Sequence, residues 1–271
     1  MIYKEHKPAA VLEQHVRCYY SLEYERDSTI TDYAFATGCV EVMFTLEGNL
    51  WETKHDEVFR KTSPIEVWGQ ILKPLVFRVS GPSRVFGIRF HPSAAAFFLN
   101  DDVSSLNDRV YELTGIVGSS VVDLHSRLQE ASSDAQRIGM VNNYLLKKIS
   151  GQTNVLDRID LVRRVMDEMT RKDFFDNIEN VAERYGITSR YLQKVFVRQT
   201  GLTPKLYSKI NRFQNSLILL GQENESLTSV AYSSGYFDQS HFIREFKSFT
   251  GITPGLFKPA TTTAILASPN K

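Results

Sequence analysis

A duplicated segment constrains this 271-residue chain more than any other feature. Residues 181–204 read VAERYGITSRYLQKVFVRQTGLTP, and residues 230–254 read VAYSSGYFDQSHFIREFKSFTGITP. Val181, Ala182 and Gly186 recur 49 residues later as Val230, Ala231 and Gly235. After one inserted residue the offset becomes 50, pairing Leu192 with Phe242, Phe196 with Phe246, and Gly201-Leu202-Thr203-Pro204 with Gly251-Ile252-Thr253-Pro254. So many ordered matches mean one small unit built twice, which any fold of the chain must accommodate.

Each copy reads as helix, tight turn, helix. Ile178, Val181, Ala182 and Tyr185 fall at i, i+3, i+4 and i+7, the stripe of a short amphipathic helix, with Asp176 or Asn177 as its cap. Gly186 ends it, because glycine accepts the left-handed conformation that turns the chain sharply. Thr188 then offers a capping oxygen, and Leu192, Val195 and Phe196 form the inward stripe of a second helix. The second copy repeats the scheme with Gly235, the cap Asp238, and inward Phe242, Phe246 and Phe249. Between the copies, Thr203 and Pro204 open a helix faced by Leu206, Tyr207, Ile210, Phe213, Leu217 and Leu220, and Gly221 closes it. About 17 residues at 1.5 Å each make a rod of roughly 25 Å. Such a rod holds two helices at about the 34 Å separation of successive major-groove segments once their own widths are added.

Charge sharpens this reading. The net charge of +1 is uninformative for the whole chain, but residues 1–151 carry 16 Lys and Arg against 19 Asp and Glu, whereas residues 184–258 carry 10 against 4. A local basic excess suits a polyanion, and equally a solvated surface.

The ordered pattern of Ala182, Gly186, a cap, Leu192 and Phe196, the helix with Tyr207 and Arg212, then Ala231, Gly235, Phe242, Arg244, Phe246-Lys247, Gly251 and Thr253-Pro254 resembles the AraC-type double helix-turn-helix over roughly residues 170–258. The resemblance implies a sequence-specific DNA-binding regulator of transcription, an activator among the options, with the second helix of each copy in the major groove. The face opposite the core stripe then carries Ser189, Arg190, Gln193 and Lys194 in the first copy and Gln239, Ser240, His241 and Arg244 in the second. Arg pairs bidentately with guanine and Gln with adenine. Arg198, Lys205, Lys209 and Lys247 suit phosphates, which set register without reading sequence. Ile243 stands where comparison with Gln193 calls for an exposed polar residue. Arg212, mid-helix beside Tyr207 and Phe213, reads as a structural ion-pair partner joining the two units.

The first half is of another kind. Cys39–Leu46, Ile65–Trp68, Leu75–Val79 and Val85–Phe90 read as strands, separated by turn signals at Gly48-Asn49, Ser63-Pro64, Lys73-Pro74 and Gly81-Pro82. Helices follow at Pro92–Leu99 and Ser119–Ser150. The fold class expected is therefore α+β, with a small N-terminal β-barrel plus helices and an all-α C-terminal domain. The segment Gly87–Leu99 resembles the end of the cupin-like sensor half of some AraC-type regulators. The expected division is 1–150 sensor or dimerisation domain, 151–170 linker and leading helix, 171–258 DNA-binding domain and 259–271 tail.

Glu41, Gln70 and Arg89, on expected strands, are candidate ligand-binding residues, and the alternative for each is a surface or structural role. Val121, Leu124, Leu128, Ile138, Val141, Leu145 and Ile149 suit either a dimer seam or packing against the barrel. Histidines 6, 15, 55, 91, 125 and 241 lack metal-ligand spacing, so no metal and no cofactor is expected, and Cys18 and Cys39 read as reduced thiols. With no apolar run of membrane-spanning length and no secretory signal, a cytoplasmic protein with no membrane partner is expected. Double-stranded DNA is the expected partner, with RNA polymerase, a small-molecule effector and a second copy of the chain left open. The competing reading is a small-molecule enzyme or binding barrel with a helical dimerisation module. It needs a convergent set of nucleophile, base or metal ligands, and none is visible. A thiol-based alkyl-DNA repair sensor needs more than two isolated cysteines.

Overall fold

The computed structural model describes residues 2–99, 102–150, 153–171, 177–222 and 225–257, and of residues 55 and 153–156 the backbone alone. The expected tail, residues 151 and 152 of the expected linker and the alternative cap Asp176 lie outside this description, and residues 153–156 of that linker belong to a helix.

The first half holds strands β1 (Ile2–His6), β2 (Val16–Tyr24), β3 (Thr29–Ala34), β4 (Val40–Gly48), β5 (Glu52–His55), β6 (Val58–Lys61), β7 (Ile65–Trp68), β8 (Leu75–Ser80), β9 (Ser83–Phe90) and β10 (Val110–Glu112). They make a six-stranded sheet in the order β1-β2-β9-β4-β7-β10 and a four-stranded sheet in the order β3-β8-β5-β6, with antiparallel pairing. Among the described residues no ladder joins the two, so the barrel expected from sequence is an open pair of sheets. Helices α1 (Ala95–Leu99), α2 (Thr114–Val117), α3 (Ser120–Glu130) and α4 (Asp134–Ile149) complete this half.

Strand alternation builds two cores from one sheet. Tyr20, Leu22, Met43 and Val85 point towards the small sheet and meet Trp51, Phe77 and Val79. Their neighbours Tyr19, Val42, Phe44, Phe86 and Ile88 point the other way, onto Leu124, Leu128, Val141 and Leu145 of α3 and α4. Both faces of β2, β4 and β9 are thus covered, which is why their residues are buried almost without a break. Gly87 is required where it stands, because a Cβ there would meet the Tyr20 ring.

The single helix expected over Ser119–Ser150 is two. Ala131 is extended, and Ser133 restarts the chain by accepting from the Gln136 amide at the head of α4. The apolar stripe of these helices packs against the large sheet rather than standing free.

The second half is helical: α5 (Thr153–Met169), α6 (Ile178–Arg184), α7 (Ser189–Thr200), α8 (Pro204–Leu220), α9 (Leu227–Ser233) and α10 (Gln239–Thr250). The core of the first repeat is Val181, Leu192 and Phe196, closed by Val162, Val165 and Met166 of α5. The core of the second is Val230, Phe242, Phe246 and Phe249 around Phe213 of α8, and Phe35 and Ala36 from the loop after β3 complete it.

The halves are therefore docked, and polar contacts fix the joint. The Gln70 amide, fully buried, donates to the carbonyls of Gly38 (2.9 Å) and Thr200 (3.1 Å). Asn107 donates to the Gly201 carbonyl at 2.9 Å, and Gln214 donates to the Ala36 carbonyl at 2.5 Å. Gly201, with φ of 72°, lies against the backbone of Val103 and Ser104, a position closed to a larger residue.

Candidate nucleic-acid interface

Both repeats are framed by the same capping chemistry. Thr188 accepts from the Tyr191 amide at 3.2 Å, and Asp238 accepts from the His241 amide at 2.7 Å. Asn177, Thr203 and Ser226 cap α6, α8 and α9 in the same way. The turns between helices coincide too: the amide of Ile187 donates to the Ala182 carbonyl and that of Tyr236 to the Ala231 carbonyl, 3.1 and 3.0 Å. Ile187 therefore matches Tyr236, Thr188 matches Asp238, and the residue inserted in the second copy is Phe237. It is 86% exposed, at the head of α10.

The faces opposite the cores lie open. Arg190, Gln193, Lys194 and Arg198 on α7 are exposed, as are Ser240, Arg244 and Lys247 on α10 and Lys205 at the start of α8. Ser189, Gln239 and His241 are half-buried, and the Gln239 side-chain oxygen accepts from Thr228 at 2.9 Å. Ile243 departs from Gln193 because it leans against the core of the second repeat.

Arg212 donates from one nitrogen to both oxygens of Glu245, each at 3.1 Å, so it ties α8 to α10 inside the second repeat. Lys209 and His241 approach the same carboxylate, at 3.7 and 3.6 Å. Glu245 is the organiser of this cluster, and nothing in its sequence position announced it. Lys209 shares its charge with Glu245, unlike Lys205.

Other cations were equally silent in the sequence. Lys147 and Lys148, at the end of α4, and Arg158 of α5 line an open cleft of about 1120 Å³ whose opposite wall is the Arg190, Lys194 and Arg198 side of α7. Only the adjacent Lys147-Lys148 pair in the sequence hints at it.

Of the expected ligand residues, two come together. Arg89 donates to Glu41 at 3.0 Å, Tyr20 donates to the other Glu41 oxygen at 2.7 Å, and Arg89 reaches Glu5 at 3.3 Å. Burial and the Glu41 carboxylate push the Tyr20 hydroxyl well above its ordinary value. Gln70 lies past the end of β7, not on a strand, and faces the second half. Between the sheets beside Glu41, Met43 and Trp68 the free space is about 20 Å³, room for about one water. A larger pocket of about 180 Å³ lies between the halves, among Arg17, His91, Arg163, Tyr207 and Gln214. Burial, then the Arg17 charge, holds His91 down at about 4.

Residues 181–259 match a family described as a helix-turn-helix domain. The C-terminal unit is thus similar to helix-turn-helix domains. Residues 4–112 match a second family, described as a domain of unknown function (DUF6597). The HTH-type transcriptional activator RhaS of Escherichia coli (strain SE11) is 31% identical over 106 residues, 38% of this chain and 37% of its own length. RhaS of Citrobacter koseri is 35% identical over 69 residues, 26% of this chain and 25% of its own. The chain thus spans between a quarter and little more than a third of the length of these relatives. ToxT from Vibrio cholerae is a structural neighbour at 15% identity and a TM-score of 0.47, covering 87% of this chain and 96% of that one.

Proposed function

We propose that this chain is a sequence-specific DNA-binding regulator of transcription that sets α7 and α10 into successive major-groove segments. The observation that carries the reading is the pair of equivalent helices, capped at the same place by Thr188 and Asp238 and separated by the 17-residue α8, each with an open face of cations and amides. Ser189, Arg190, Gln193 and Lys194 face the bases of one half-site; Gln239, Ser240, His241 and Arg244 face those of the other. Arg198, Lys205, Lys209 and Lys247 hold the backbone. The DNA-binding unit begins at α5 rather than at residue 171, since Val162, Val165 and Met166 close the first repeat's core. The test is salt-dependent binding of the full chain to duplexes recovered from a random pool.

A small-molecule effector fits the 180 Å³ pocket between the halves better than the filled space between the sheets. Arg17 and Arg163 line it beside Asp167, and Arg163 is paired with Asp160 and Asp167 of its own helix, so the proposed effector is a small acid that takes the place of Asp167 on Arg163; by touching α5 and α8 it biases how the DNA-binding unit sits. A thermal-shift screen of small carboxylic acids against the full chain tests this, since residues 1–150 alone lack Arg163 and Tyr207. A rise in Tm that Arg163→Ala abolishes supports it; no rise with any acid contradicts it.

A further inference from the structure

The cleft between α4, α5 and α7 concentrates charge of one sign. Lys147, Lys148, Arg158, Arg190, Lys194 and Arg198 line it, and Asp102 is the acid among its described lining residues. Lys148 is partly engaged, donating to the Phe98 carbonyl at 3.3 Å and lying over the Tyr144 ring. Lys147, Arg158, Arg190, Lys194 and Arg198 are exposed and, among the described residues, have no ion-pair partner. Half of the set comes from the first recognition helix; the other half comes from α4 and α5. The docking contacts that seat Thr200 and Gly201 on Gln70 and Asn107 hold the two walls together.

Like charges crowded on facing walls repel one another unless an anion lies between them, and facing rows of Lys and Arg suit a phosphodiester strand. A helix seated in the major groove is flanked on each side by a sugar-phosphate backbone. We propose that the strand bordering α7 on its α5 side runs through this cleft, with Lys147, Lys148 and Arg158 as phosphate contacts contributed from outside the helix-turn-helix. The inference rests on the DNA-binding reading above. It adds that the first half of the chain, through α4, takes part in holding DNA.

The test uses the full chain and the tightest duplex recovered by the parent protein from a random pool. Lys147→Ala combined with Arg158→Ala is expected to lower the slope of log K against log salt by about two, at about 0.9 per phosphate contact, and to weaken binding about tenfold at physiological salt without changing the preferred sequence. Arg60→Ala with Lys61→Ala, the same loss of charge on exposed residues of β6, is expected to leave the slope unchanged. Methylphosphonate linkages in the strand flanking the first half-site should weaken the parent more than the Lys147/Arg158 variant, which keeps Lys148. A variant with the parent's slope and affinity overturns the proposal, and so does one that binds more tightly, which would mean that α4 and α5 obstruct the groove. Failure of the DNA-binding reading itself looks different: the parent then recovers no duplex at all.

Discussion

Arg212 grips both oxygens of Glu245 from one nitrogen, each at 3.1 Å, and the Glu245 side chain is only 4% exposed. The pair fixes the angle between α8 and α10. Removing Arg212 leaves a buried carboxylate whose remaining charged or ionisable neighbours include Lys209 at 3.7 Å, His241 at 3.6 Å and the Tyr236 hydroxyl. Arg212→Ala should cost about 2 kcal/mol in urea melts, below the ~3–5 kcal/mol of a fully buried broken pair because Arg212 is partly exposed. Arg212→Met with Glu245→Met should recover most of that loss. Equal destabilisation by the single and double variants would show that the pair itself is not the source.

Glu66 predicts a pH dependence. It is almost fully buried between the sheets, and one oxygen accepts from the Trp68 indole at 3.0 Å. Burial pushes its carboxyl up to about 7, against the smaller opposing effect of hydrogen bonds from Thr62 and Trp68. A carboxyl whose folded pKa is raised binds more protons folded than unfolded between about pH 4.5 and 7, so stability falls as pH rises through that window. Glu66→Gln should flatten the fall and stabilise the protein at pH 8 by on the order of 1–3 kcal/mol. Thermal melts from pH 5 to 8 check this; identical profiles for parent and variant would contradict it.

Phe237 predicts a change in binding without a change in fold. Being exposed, it contributes little to the core, so Phe237→Ala should leave Tm within about a degree or two of the parent. On the proposed docking, its place at the head of α10, beside Gln239 and Ser240, is where the helix enters the groove. Its loss should weaken binding to the selected duplex about tenfold with the salt slope unchanged, because an apolar contact releases no counterions. Parental affinity in the variant would place Phe237 off the DNA.

The helical half was legible because its signals are local. Caps such as Thr188 and Asp238, glycines at 186 and 235 with positive φ, and stripes such as Phe242, Phe246 and Phe249 all act within a few residues. The sheets were half legible. β4, β7, β8 and β9 stood out between turn signals, whereas β2, covered on both faces, shows no alternation, and edge strand β1 has a mostly exposed pattern. The break at Ser133 was hidden by a stripe that continues across it. Least legible were contacts made only in three dimensions: Gln70 under Thr200, Phe35 in the core of the second repeat, Glu245 among Arg212, Lys209 and His241, and Arg158 facing α7.

Binding-site selection from a random duplex pool, run in parallel on the parent, Arg190→Ala and Arg244→Ala, tests the central claim most directly. The parent should enrich two short elements about one helical turn of DNA apart, with affinity falling steeply with salt. Arg190→Ala should relax preference in one element and Arg244→Ala in the other, each by about 1–3 kcal/mol at the affected base pair. If no sequence is enriched and no salt-dependent affinity is found, the chain is not a DNA-reading regulator of this kind. If both variants keep the parental sequence preference and lose only overall affinity, α7 and α10 do not read bases through these arginines.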